Sequence, residues 1–181
     1  QQLQEMVAFA LQGSELSRLE AVQKLAPQVF GMAEGLVNYT RADDPDEVVF
    51  GPNMTTLTFA MSRAIGRELG PGDEIVVTEA DHEANVGAWR RLAAHGVVVR
   101  TWAIDRATWR LTPEGLAPLL SPRTRLVAMT HCTNVLGTIH DVAAIAEMLR
   151  GSRARLFVDG VAYAPHGPVD AAGLGVDGYV F

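Results

Sequence analysis

Two patterns of apolar and polar positions alternate along this chain. Short apolar runs with β-branched character lie at Glu74–Thr78 (EIVVT), Val97–Ala103, Thr124–Thr130 (TRLVAMT) and Arg155–Val158. Runs of this length, bounded by turn residues, read as buried strands of a parallel sheet. Glu47–Phe50 and Asp177–Phe181 add two shorter ones, giving six strands or so. Between them the apolar positions fall at helical spacing. One helix is expected from the turn Gly51–Thr56 to about Leu69, with Gly70 in the C-cap place and Pro71 just beyond. Others are expected from about Ala84 to His95, from Thr112 as N-cap with Pro113 at the first helical position, and over Asp141–Arg150. Leu116, Leu119 and Leu120 face inward, and Asp105–Leu111 is a turn or hairpin on which Trp109 packs. Upstream, Leu3, Met6, Val7, Ala10 and Leu11 share one face of a helix over Gln1–Gln12. A second helix runs from Ser14 to about Val37, kinked or split at Pro27, and Asn38–Glu47 is a polar loop. Strand and helix in alternation predict an α/β fold, a mainly parallel sheet with helices on both faces.

Composition narrows the classes. With 181 residues there is chain enough for one domain with a real core. A net charge of −6, with no Lys or Arg cluster, argues against a nucleic-acid face. Cys132 is the only cysteine, so no internal disulfide forms, which fits a reducing compartment. No apolar run approaches the ~18 residues of a membrane span. The first residues lack the basic and apolar regions of a secretory leader. The expectation is a cytoplasmic protein without a membrane partner. Lys24, the only lysine, falls on the polar side of the second helix and reads as solvated.

The candidate chemistry follows the strands. Asn53 and Thr55, His82, His131–Asn134 and Asp159 each come just after one. Right-handed crossovers would gather them on one edge of the sheet, where open α/β sheets bind ligands. Asp159 ends the strand of the segment ARLFVDGVAYAPH. A carboxylate there, unpaired in an apolar setting, costs several kcal/mol. It either caps the following turn, as Asp before Gly often does, or meets a ligand cation. A pyridine nitrogen that must stay protonated, as in pyridoxal phosphate (PLP), is one such cation. The strand–turn–helix order at Gly51–Thr56 makes an anion site or an ordinary helix cap. His82 caps a helix, rests on the surface, or lies flat against an aromatic ligand.

GPNMTT, PGDEIVVTEADHEANVGAW, RTRLVAMTHCTNVLGT and LFVDGVAYAPHGPVD, in this order, resemble the class V aminotransferase family of PLP enzymes. The nearest likeness is to the cysteine desulfurase and selenocysteine lyase branch, over roughly Val48 to Phe181. The resemblance implies the large domain of a fold type I PLP-dependent transferase, an amino acid substrate and a homodimer in the full-length form. It implies that Asn53, the Met54 N–H and Thr55 hold the cofactor phosphate. It likewise implies that His82 stacks on the ring and assists proton transfers, that Asn134 contacts the phenolic-oxygen side or the substrate carboxylate, and that Asp159 pairs with the ring nitrogen. The domain division expected is a helical segment, 1–40, and a partial PLP-binding large domain, 41–181. The activity implied is that of a cysteine desulfurase-like lyase or transferase. Another class V activity (aminotransferase, epimerase or kynureninase-like hydrolase) and a non-catalytic homologue are the alternatives.

Three departures accompany the likeness. Ala162 stands where many desulfurases carry a Gln that bonds the phenolic oxygen. Cys132 lies near the expected cofactor, whereas the family's persulfide-carrying cysteine lies far downstream; it reads as a small buried residue. In the family, the strand matching Gly178–Phe181 runs into the lysine that holds the cofactor covalently, and a small domain follows. The expectation is therefore a fragment of a longer protein, or a truncated relative, that does not turn over by itself.

Overall fold

The computed structural model describes residues 40–41 and 47–181. The two N-terminal helices and Lys24 lie outside the described residues. Five strands form one all-parallel sheet: β1 (Glu74–Thr78), β2 (Val98–Trp102), β3 (Thr124–Thr130), β4 (Arg155–Asp159) and β5 (Gly178–Val180). Their order is β2-β1-β3-β4-β5. The chain therefore reverses direction across the sheet between β1 and β3, which opens a crevice at their carboxyl ends. The helices are α1 (Met54–Gly66), α2 (Glu83–Arg90), α3 (Pro113–Leu116), α4 (Val142–Leu149) and α5 (Ala171–Leu174). None of the described helices is long and apolar enough to cross a membrane.

Alternation along the strands divides the core in two. Ile75, Val77, Leu126, Ala128 and Phe157 point to the face that holds Trp89 of α2 and Ile65 of α1. Val76, Val127, Met129, Leu156 and Val158 point to the other, against Leu116 of α3 and Val142 and Ile145 of α4. Both faces are covered, so the strands need no polar alternation, and their continuous apolar runs follow from that. Trp89 meets the Phe157 ring edge-on, with centroids 5.2 Å apart.

The caps explain most boundaries. Asn53 Oδ1 accepts from Thr56 N at 2.9 Å and starts α1. Thr112 and Pro113 start α3 as expected, and Asp141 caps α4. The helix expected to reach Leu69 ends at Gly66. Arg67 N and Glu68 N bond to Ala64 O and Ile65 O, tightening the last turn. Gly70 is not the cap: its N–H is taken by the Asp73 carboxylate at 2.9 Å. The helix expected to reach His95 stays α-helical only to Arg90, then tightens over Arg91–His95 and stops at Gly96, whose φ of 82° suits a residue without Cβ.

Three further expectations are corrected. Glu47–Phe50 is not a strand; Val48, Val49 and Phe50 line a groove of about 650 Å3 beside β5. Five strands, not six, are thus found among the described residues. Trp109 covers its turn only in part: it adopts a φ of 58° and is 48% exposed, while Asp105 and Arg110 close the loop. The helices expected over 84–95 and 141–150 are also shorter than read, α-helical only over Glu83–Arg90 and Val142–Leu149.

Candidate functional site

The carboxyl edge of the sheet is built from strand ends in register. Thr130 of β3 pairs with Asp159 of β4, and Asp159 with Val180 of β5. Asp159 is 5% exposed. Its Oδ1 accepts from Val161 N at 2.9 Å, the Asx turn that Asp-Gly suggests. Among the described residues Oδ2 accepts no hydrogen bond, and no Arg or Lys pairs with the group. Burial raises the Asp159 pKa above the ordinary carboxylate value; the Val161 N–H and the nearby His82 act against this. Asp159 is thus both a turn cap and a buried carboxylate with one oxygen open.

His82 follows β1 and is the N-cap of α2. Its Nδ1 accepts from Ala84 N at 3.1 Å, and its carbonyl accepts from Asn85 N and Val86 N. In the neutral ring the proton therefore sits on Nε2. The ring is exposed at the crevice, close enough to Asp159 to stabilise its charge. The cap and ligand-facing readings of His82 are compatible, because capping uses only Nδ1.

Asn53 and Met54 open α1. Asn53 Oδ1 is occupied by the Thr56 N–H and hydroxyl, which leaves its amide N–H2 and the first helical N–H groups free. Met54 is buried, with its sulfur accepting from the Thr58 hydroxyl, and Thr55 is exposed. Asn134 lies on the loop after β3, exposed and without a hydrogen bond among the described residues. Thr133 Oγ1 accepting from Thr138 N, and Thr133 O accepting from Gly137 N, shape that loop. The structure brings His82 and Asp159 together, sets Asn134 on the loop after the strand next to β4, and sets Asn53 at a helix that packs on α2. No direct contact joins Asn53 or Asn134 to the His82–Asp159 pair among the described residues. Cys132 is half-buried, not fully buried, because its backbone bridges to Ile139 across the mouth of the same loop.

A family model described as aminotransferase class-V matches residues 5–181. The chain belongs to the class V aminotransferase family. The aminotransferase-like protein FGM3 of Gibberella zeae is 43% identical over 139 residues, which is 75% of this chain and 34% of that protein. A cysteine desulfurase of Yersinia pestis is 34% identical over 164 residues, covering 90% of this chain and 39% of the relative. A solved structure of a C-DES mutant, with glycine covalently linked to its PLP cofactor, superposes with a TM-score of 0.79 at 25% identity. That match covers 99% of this chain and 48% of the C-DES chain. The chain thus spans little more than a third of the length of the curated relatives it matches.

Within this class V frame, two groups at the same edge have surroundings that the sequence reading did not give. The first is Asp81, whose carboxyl is pushed up to about 7, by burial first and by the Asp159 charge second. The second is His131, 6% exposed, stacked on Tyr163 at 3.7 Å with Nδ1 2.8 Å from the Tyr179 hydroxyl. Burial lowers the His131 pKa. Its stack braces the turn after Asp159 against β3 and β5. The sequence signal for Asp81 is the spacing Asp81, Asn85, Trp89, one polar stripe entering an apolar helix face. For His131 the sequence signal is its place just after β3; its partners, 32 and 48 residues away, carry none.

Proposed function

We propose that this chain carries the cofactor-holding half of a PLP-dependent class V enzyme that acts on an amino acid, with cysteine desulfurase-like lyase chemistry. The observation that carries the reading is Asp159: a buried strand-end carboxylate, one oxygen open, with no Arg or Lys beside it among the described residues. A buried charge without a partner is costly, and a pyridinium N–H at the open oxygen would relieve that cost. The donor set of this edge fits the rest of PLP. The N-terminus of α1, with Asn53 and Thr55 and the Met54 N–H, suits a phosphate because its free N–H groups and dipole favour an anion. His82 presents a ring face at the crevice, and Asn134 offers an uncommitted amide.

When bound, PLP supplies an electron sink for the bond broken at the substrate's α-carbon. The residues supply the setting. Asp159 holds a proton at the ring nitrogen, as an opposite charge nearby favours the charged form. His82, with its proton on Nε2, is set to move a proton at the crevice while Nδ1 keeps the helix cap. Ala162 cannot bond the phenolic oxygen; the family likeness sets Asn134 on that flank or at the substrate carboxylate. The relatives support the desulfurase reading by name: a cysteine desulfurase aligns over 90% of this chain. Its 43% likeness to an aminotransferase-like protein supports the second reading, another class V activity.

Spectroscopic titration with PLP tests the cofactor. Wild type is expected to bind, and Asp159→Asn to bind at least about tenfold more weakly, a 1.4 kcal/mol effect. Equal binding by both, or none by wild type, refutes the reading. For the reaction, the full-length protein given L-cysteine is expected to release sulfide; keto acid without sulfide would favour the second reading. The two-domain division at residues 40 and 41, a homodimer and a cytoplasmic location are part of the same proposal.

A further inference from the structure

Asp81 sits between the end of β1 and the His82 cap, and its carboxylate is used at both oxygens. Oδ1 accepts from His82 N at 2.7 Å, and Oδ2 accepts from Asn85 Nδ2 at 2.7 Å. Asn85 is fully buried and spends its other atom on Trp89, whose Nε1 donates to Asn85 Oδ1 at 3.1 Å. Trp89 is also fully buried, and its ring is wedged against Phe157 of β4. The line Trp89–Asn85–Asp81–His82 therefore runs from the middle of the core to the imidazole, and each link is a hydrogen bond between neighbours. Asn85 Nδ2 also lies 3.5 Å from Met129 O, which ties the line to β3.

A surface helix does not need this. His82 Nδ1 already caps α2, and a polar stripe through a core helix costs burial of an amide and a carboxyl. Each must be fully satisfied to be tolerated. The carboxyl is also placed where a charge is least favoured: half-buried, with the Asp159 charge adding to the cost of ionising it. The buried Thr78 hydroxyl, at the end of β1, makes no hydrogen bond among the described residues and lies near enough to the same carboxyl to favour its charge. Perturbed acids gathered at one edge mark a worked site more often than a structural accident.

We propose that Asp81 is a positioning residue of the site: anchored by Asn85 and Trp89, it fixes the backbone of His82 so that the imidazole stands at the crevice beside Asp159. The inference rests on the PLP reading for its purpose, but not for its test. Asp81 acts through His82, and nothing places it against a reacting atom.

The test is the 15N NMR spectrum of His82 in the full chain without ligand. In wild type, Nδ1 accepting from Ala84 N gives an acceptor-type signal. In Asp81→Ala, His82 N loses its acceptor and the corner loosens, so the Nδ1 signal is expected to move at least halfway to the tautomer average of a free imidazole. Asp81→Asn keeps an oxygen for the His82 N–H and is expected to restore most of the wild-type position. Glu74→Gln loosens the opposite edge of the sheet and is expected to leave the signal in place. An Asp81→Ala signal identical to wild type, or a Glu74→Gln signal displaced as far, overturns the proposal. If Asp81→Ala does not fold, Asn85→Ala replaces it: a smaller displacement in the same direction supports the brace, and none overturns it. Titration with PLP as the probe keeps the two claims apart. A chain that binds no PLP refutes the cofactor reading, while the His82 spectra still decide the role of Asp81.

Discussion

Glu74 is the first residue of β1 and its side chain is 1% exposed, an unusual place for a carboxylate. It survives there because it is fully paired. Arg100 of β2 grips it with two bonds, Nε to Oε2 at 3.1 Å and a terminal nitrogen to Oε1 at 3.0 Å. Ser121 Oγ donates to Oε2 at 2.7 Å and Arg123 to Oε1 at 3.1 Å. These bonds hold the pKa at about 2 against 4.5 in the unfolded chain, with the Arg100 hydrogen bond the largest cause, Ser121 next, and burial opposing. The sign follows: a lowered folded pKa stabilises the fold above the unfolded value and the benefit is lost as pH falls from about 4.5 toward 2. At about 1.4 kcal/mol per pH unit the ceiling is about 3.5 kcal/mol. The arginines are 38% and 68% exposed, so solvent screening lowers the expected contribution to about 2 kcal/mol. Glu74→Gln keeps the shape and removes the charge. Urea denaturation at pH 7 should show the variant about 2 kcal/mol less stable, within the range for charged hydrogen bonds. By pH 3 the gap should be less than half as large. A gap that is independent of pH, or that widens on acidification, would refute the assignment of this cluster.

His140 is 3% exposed and its pKa is held at about 4, by burial first and by Arg110 and His131 after it. Its Nδ1 accepts from Leu111 N at 3.2 Å. The unfolded chain takes this proton near 6.5, so stability should fall as pH drops from 6.5 to 4. His140→Asn, which can still accept from Leu111, should flatten that slope by up to one proton in acid-titrated melts. Gly160→Ala would put a Cβ inside the Tyr179 ring; overpacking of about 1–3 kcal/mol should lower the melting temperature and weaken PLP binding together. Asn134→Ala should change stability by less than about 0.5 kcal/mol, as an exposed side chain without partners does, while still weakening PLP or substrate binding in a titration.

The parallel sheet was legible because both of its faces are covered. EIVVT and TRLVAMT have no polar alternation to confuse, and β1 and β3 fall on the residues expected. The Thr112 cap was legible because its cause is local, whereas Asp141, read as the first residue of its helix, is the cap that precedes it. Glu47–Phe50 misled because an apolar run specifies a strand only when a neighbour offers a free edge in register. Gly70 misled because Asp73, three residues on, competes for its N–H. At the candidate site, what was legible of Asp159 and His82 was their place just past a buried strand, where the fold does bring the two near each other. The surroundings of Asp81 and His131 were not legible. Their environments depend on Asn85, Tyr163 and Tyr179, which the sequence separates from them and only the fold brings together.

The central claim is that Asp159 meets a protonated ring nitrogen, and one comparison reaches it directly. Affinity would be measured for PLP and for an analogue with carbon in place of the ring nitrogen, in wild type and in Asp159→Asn. The account predicts that wild type prefers PLP by at least about tenfold and that the variant no longer distinguishes the two. The same preference in both proteins would contradict it, and Asp159 would then be only the cap of its turn.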